Sequence, residues 1–173
     1  MIIRGQTIID FLEGKTTDYK GRTFDDIIQS DDETLEKCHD AIQQIFPLHL
    51  ESKYAHTYPI VDKDVINKIN ESLEASHEIR CNLVKAKKRF EKFYGIGHDY
   101  FDPDKQRKWC KNGNHNLLRI TRIIRSLRLF GLEDDARDFW RKVMTVGDAL
   151  EISDTTIDYW SKAMIDDDVW GTL

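Results

Sequence analysis

Cysteine is scarce. Cys38, Cys81 and Cys110 are odd in number, widely spaced and free of any CxxC pair. That excludes a zinc ribbon and a thioredoxin-like motif, and unpaired thiols fit a reducing compartment. Only 3 prolines and 9 glycines interrupt 173 residues, which excludes collagen-like and low-complexity chains. No apolar run approaches the roughly 20 residues of a membrane span. The opening MIIRGQTIIDFLEG meets charge too early for a secretory signal, so a soluble cytoplasmic protein is expected. No HExxH is present, and no histidine pair sits at metal-binding helical spacing with a third ligand nearby. Neither a metal nor a cofactor is expected. Gly14-Lys15-Thr16 resembles the end of a phosphate-binding P-loop, but the glycine that motif needs is replaced by Ile9. No internal repeat is visible, which sets solenoids aside.

Apolar residues make up 40% of the chain and charged residues 33%, a globular balance in a length that suits one domain, residues 1–173. The net charge of −5 hides a segregation: Lys85 to Arg128 carries +9, while 1–84 and 129–173 carry −7 each. Two readings stand. The acidic flanks neutralise the centre internally, or the centre is an anion-binding face.

Helical periodicity dominates. Ile8, Ile9, Phe11 and Leu12 fit a short helix, and Thr23 can cap a second through Phe24, Ile27 and Ile28. Ser30 with Glu33 has the form of a capping box. Leu35, Cys38, Ile42, Ile45 and Phe46 then recur at helical spacing, and Pro47 predicts the end. Asp62 or Asp64 caps the next helix, with a stripe of Val65, Ile66, Ile69 and Leu73. Ile79, Leu83, Ala86, Phe90 and Phe93 form another stripe, stopped by Gly95 and Gly97. Residues 98–114 hold Asp-Pro and Asn-Gly pairs and read mainly as loop, anchored by Trp109. His115 or Asn116 opens a helix with Ile120, Ile123, Ile124 and Leu127 on one face and Leu118 and Leu129 nearly opposite, which predicts cover from both sides. Gly131 ends it. Glu133, Asp134 and Asp135 start the next helix, whose stripe is Ala136, Phe139, Trp140, Val143 and Leu150. Ser153 or Asp154 caps the last, with Ile157, Trp160 and Met164 inward. The sum is an all-α single compact domain of about six to eight helices, with a tail, 166–173, expected to fray.

Chemistry concentrates in two places. The run Lys85 to Lys92 is either a solvated helix face or a phosphate contact, and Phe90 and Phe93 belong to the core stripe rather than to a stacking platform. The stretch Asn114 to Arg128 sets Arg119, Arg122, Arg125 and Arg128 on a helix with two apolar faces. A guanidinium buried there needs a partner, either an internal carboxylate such as Asp40 or an anionic ligand held by arginine's fork. Asn114, His115 and Asn116 at the helix start are read either as capping or as an anion pocket. His39 lies at the edge of an apolar stripe, where a packed histidine and a ligand contact are both open.

The blocks DFLEGKTTDYKGRTFDDII, LEKCHDAIQQIFPL, FYGI, NHNLLRITRIIRSLRLFGLE and TTIDYWSKA succeed one another through nearly the whole chain. Together they resemble the conserved region of the opioid growth factor receptor family. The chain departs from that family's pattern at Ala41 and at Gln44-Ile45, where an aromatic and a tryptophan are usual. The resemblance implies a binding role. Animal members are described as receptors for an opioid pentapeptide, associated with the nucleus and membranes.

The first expectation is a non-enzymatic binding or interaction domain for a peptide, a small anionic ligand or a protein partner. His39, Asp40, Asn114, His115, Asn116, Arg119 and Arg122 would line its pocket for a carboxylate or phosphate. The second is a hydrolase-like enzyme using His115 and Asp40, since His39 and Asp40 as helical neighbours would point about 100° apart. The third is nucleic-acid binding through residues 85–128, with affinity that falls steeply with salt.

Overall fold

Short polar side chains start most of the helices. In the computed structural model, which describes residues 5–50 and 60–171, ten α-helices are present and no strand occurs among the described residues. The all-α expectation holds. The chain divides into two compact units, one ending at Ala86 and one beginning at Lys87.

The first unit opens with α1 (Gly5–Leu12), which buries Ile8, Ile9, Phe11 and Leu12. Thr23 starts α2 (Phe24–Gln29) by accepting from Asp26 N while the Asp26 carboxylate accepts from Thr23 N, a reciprocal capping box. Phe24 sits 6.0 Å from Phe11, ring to ring. The next helix, α3 (Asp32–Lys37), is capped by Asp31 rather than by Ser30. Ser30 instead donates its hydroxyl to the Asp26 carbonyl at the end of α2. The single helix expected over Leu35 to Phe46 is two, α3 and α4 (Ala41–Ile45), broken at Cys38, His39 and Asp40. Asp40 is the cap residue of α4 but makes no capping bond, because its carboxylate is engaged elsewhere. Pro47 does come just after the end.

Asp62 accepts from Val65 N and starts α5 (Lys63–Glu71), which packs on α1. The α5 stripe stops at Ile69, and Leu73 is 87% exposed. Ser72 accepts from Ala75 N and restarts the helical phase, so Leu73 opens α6 (Leu73–Tyr94) instead of closing α5. Within the first unit, Asn82 of α6 donates to the Leu12 carbonyl and ties the helix to α1.

The second unit holds the end of α6 and four further helices. Gly95 ends α6 at φ +66, a conformation that suits glycine, and its carbonyl accepts from both Asp102 N and the Gln106 side chain. The stretch read mainly as loop contains α7 (Pro103–Trp109). Asp102 caps it and Pro103 occupies its first turn, so Asp-Pro here is a helix start. Trp109 anchors it as expected, buried and donating to the Tyr94 carbonyl at 2.8 Å.

The central element is α8 (Asn116–Leu129). It packs on both α9 (Glu133–Ala149) and α10 (Asp154–Ile165), which also pack on each other. Ile120, Ile123, Ile124 and Leu127 are fully buried, and Leu129 is buried too. Leu118 departs from the expectation: it is 60% exposed. Trp160 of α10 donates to the Leu117 carbonyl at 3.0 Å. Beyond α10, turns run through Gly171, whose carbonyl accepts from Arg125 at 2.9 Å. The last two residues of the tail expected to fray lie outside the described residues.

Candidate functional site

In the first unit, Asp40 is held by a turn. Asp18 N–H bonds to the Arg22 carbonyl, and Gly21, at φ +78, bonds back to Asp18. One Asp18 oxygen accepts from the backbone N–H of Lys20 and of Arg22, and the other accepts from the Arg22 guanidinium. The turn thereby aims three donors at a single oxygen of Asp40. These are the Tyr19 hydroxyl at 2.7 Å, the Lys20 ammonium at 2.9 Å and the Arg22 guanidinium at 2.9 Å. Burial alone would raise the Asp40 carboxyl, but the hydrogen bonds from Tyr19 and Lys20 and the charges of Arg22 and Lys20 outweigh it and hold it at about 2. His39, its neighbour, is exposed. Sequence reasoning missed Tyr19, Lys20 and Arg22. An Asp with Gly three residues later, flanked by cations, was the available signal.

In the second unit, the start of α8 gathers Asn114, His115, Asn116, Arg119 and Arg122. Asn114 accepts from Asn116 N at 2.9 Å and donates to the Lys108 carbonyl, so it is Asn114, and not the His115 cap residue, that closes the helix end. The buried Asn116 side chain accepts from Arg119 at 3.3 Å and from the Tyr94 hydroxyl at 3.4 Å. His115, Arg119 and Arg122 recur at helical spacing and share one face of α8. Arg119 is buried, and His115 and Arg122 are half-buried. Burial pushes the Arg122 guanidinium down to about 10, so it is still charged at neutral pH.

Two other cations of the basic centre, Lys87 and Arg128, and Lys142 beyond it pair with acidic side chains. Arg128 pairs with Glu133 at 3.0 Å and donates to the Ala163 carbonyl. Lys87 is buried among Glu91, Asp135 and Asp138, and Lys142 bridges Glu91 and Asp138. Internal neutralisation by the acidic flank is therefore real for Lys87 and Arg128. Among the described residues, no group of three or more His, Cys, Asp or Glu side chains could hold a metal ion.

The class is thus an all-helical chain, with no helix among the described residues long and apolar enough to cross a membrane. The family described as the opioid growth factor receptor (OGFr) conserved region matches residues 12–168, and the chain belongs to it. It is similar to the opioid growth factor receptor of Mus musculus, at 33% identity over 128 residues, which cover 65% of this chain and 19% of that protein. The receptor of Rattus norvegicus is 32% identical over 65% of this chain and 21% of its own length. For the Homo sapiens receptor the figures are 32%, 65% and 18%. The matched stretch is about a fifth of the curated relatives' length. No solved structure matches the chain.

Proposed function

We propose that the chain is a non-enzymatic binding domain in which the polar face of α8 takes a peptide or a small ligand through its carboxylate or phosphate. The observation that carries this reading is the row His115, Arg119 and Arg122 on one face of a mostly buried helix, with burial lowering the Arg122 guanidinium to about 10. Arginine's planar fork suits a bidentate carboxylate or phosphate. Asn114 and Asn116 fix the helix end that presents the row. Asp40 supports its own turn, and at about 2 it is too weak a base for acid–base work near neutral pH, which favours binding over hydrolysis. The pairing of Lys87 and Arg128 with carboxylates lowers the charge left for a nucleic acid. The relatives' name, opioid growth factor receptor, points the proposal toward an opioid peptide.

The test is calorimetric titration with the opioid pentapeptide and with its C-terminal amide. The free acid binds, and the amide binds at least about tenfold more weakly, the loss of one charge-assisted contact. Equal binding of both forms sinks the carboxylate reading, and binding of neither removes the peptide.

A further inference from the structure

A pocket of about 370 Å³ lies in the second unit, away from the residues of the α8 face. Its walls are the last turns of α6, the loop from Gly97 to Tyr100, and Lys142 of α9. Its electrostatics are uneven. Lys142 spends its charge on Glu91 and Asp138, and Lys87 meets the same two carboxylates, so the one acid on the α6 wall is already neutralised. Lys88 and Lys92 are different: both are exposed, they stand one helical turn apart, and neither has an ion-pair partner among the described residues. Like charges at that spacing repel and destabilise the helix that carries them. Arg89 stands between them on the same wall.

The opposite wall is aromatic. Tyr100 N–H bonds to the Gly97 carbonyl, and its ring packs directly on Gly97, where a Cβ would come within 2.9 Å of the ring. The Lys92 ammonium stands 5.6 Å from the centre of the Tyr100 ring. Asp99, on the loop wall, is 86% exposed beside His98. An extended polyanion or an anionic membrane would meet that carboxylate, whereas a compact anion seated inside meets Lys88, Arg89 and Lys92.

We propose that this pocket binds a small phosphate-bearing molecule of mononucleotide size, its phosphate between Lys88, Arg89 and Lys92 and its ring against Tyr100. Lysines suit phosphate as point charges, and the volume lies in the range of small-ligand sites. The site shares no residue with the α8 face and stands or falls independently of the reading given to that face.

The full chain is titrated with inorganic phosphate, pyrophosphate, adenosine monophosphate, adenosine and a 20-base single-stranded DNA. Adenosine monophosphate binds one to one and adenosine does not. The Lys88→Glu/Lys92→Glu variant weakens that binding at least tenfold, and Lys162→Ala, at an exposed lysine outside the pocket's walls, leaves it unchanged. Amide shifts in the wild-type protein localise the nucleotide to Lys88, Lys92 and Tyr100 even if the double variant fails to fold. Saturable binding of no phosphate compound at 10 mM (roughly the weakest affinity a site is worth assigning) overturns the proposal. So does binding that survives the double variant, shifts that fall elsewhere, or binding of the DNA alone.

Discussion

The Tyr19 hydroxyl donates to the Asp40 carboxylate at 2.7 Å across 21 positions of chain. That contact links a tight turn to the break between α3 and α4. With Arg22 bridging Asp18 and Asp40, it makes Asp40 the acceptor on which the turn depends.

Asp40→Asn should therefore cost about 2–3 kcal/mol, because it removes the charge that pairs a half-buried guanidinium. Thermal melting reads this as a fall of several degrees. The carboxyl's folded value is depressed from 3.8 to about 2. Its contribution, about 2 kcal/mol, is whole above the unfolded value and is lost as pH falls through the folded one. A stability-versus-pH series between 5 and 2, with limits set by that window, should show an acid-labile component in the wild type that Asp40→Asn lacks.

Lys87 makes the corresponding case at the basic end. Burial opposes its charge, but the hydrogen bond to Asp138 and the charge of Glu91 outweigh that and raise its value above 10.5. Its contribution is whole below 10.5 and disappears as pH rises through the folded value. Lys87→Ala should cost about 3 kcal/mol at neutral pH, measured by urea denaturation, and the variant should lose the alkaline part of the wild type's pH dependence.

Two glycines with positive φ separate backbone strain from collision. Gly113 at φ +82 has nothing within 4 Å of a would-be Cβ, while at Gly95 that atom comes within 2.7 Å of the Asp102 carbonyl oxygen. Gly113→Ala should cost about 1 kcal/mol and Gly95→Ala at least about 3 kcal/mol. Comparable costs in paired melts would refute the collision at Gly95.

Arg122→Met should dissociate stability from binding. Methionine keeps the stem's packing and removes the burial cost of the charge, so the melting temperature should change by no more than about 4 °C. In the same variant, the pentapeptide's binding should fall below detection. A variant that melts much lower would give Arg122 a structural duty instead.

The helices that answer to local rules were legible. The α8 stripe from Ile120 to Leu127, the Thr23 and Asp62 caps and the Gly95 stop all depend on neighbours within a turn. The features that escaped depended on distance. The break at Cys38 to Asp40 answers to a carboxylate drawn to residues 18–22, and periodicity carries no trace of it. The α7 helix was hidden by a dipeptide with two meanings, since Asp-Pro turns a chain or starts a helix depending on the residues after it.

The candidate site was legible as composition more than as geometry. The Asn114-to-Arg122 cluster does gather at one helix end, as its spacing required. The sequence could not say that Asn114 would close the helix and Asn116 would hold Arg119 from within. Nor could it show Tyr100 seated on Gly97 beside Lys88 and Lys92, because that wall is made by loop geometry.

Trp109 and Trp160, whose indole N–H groups end on the Tyr94 and Leu117 carbonyls, belong with Trp140 and Trp170 to the second unit; the first has no tryptophan. The molecule thus carries a one-sided optical label. Indole emission reports on residues from Lys87 onward, whereas far-ultraviolet dichroism reports on the helices of both halves. A mutation such as Asp40→Asn that loosens only the first half would shift the dichroism melt while the emission melt stays where it was, and superposed curves would mark the halves as one cooperative unit.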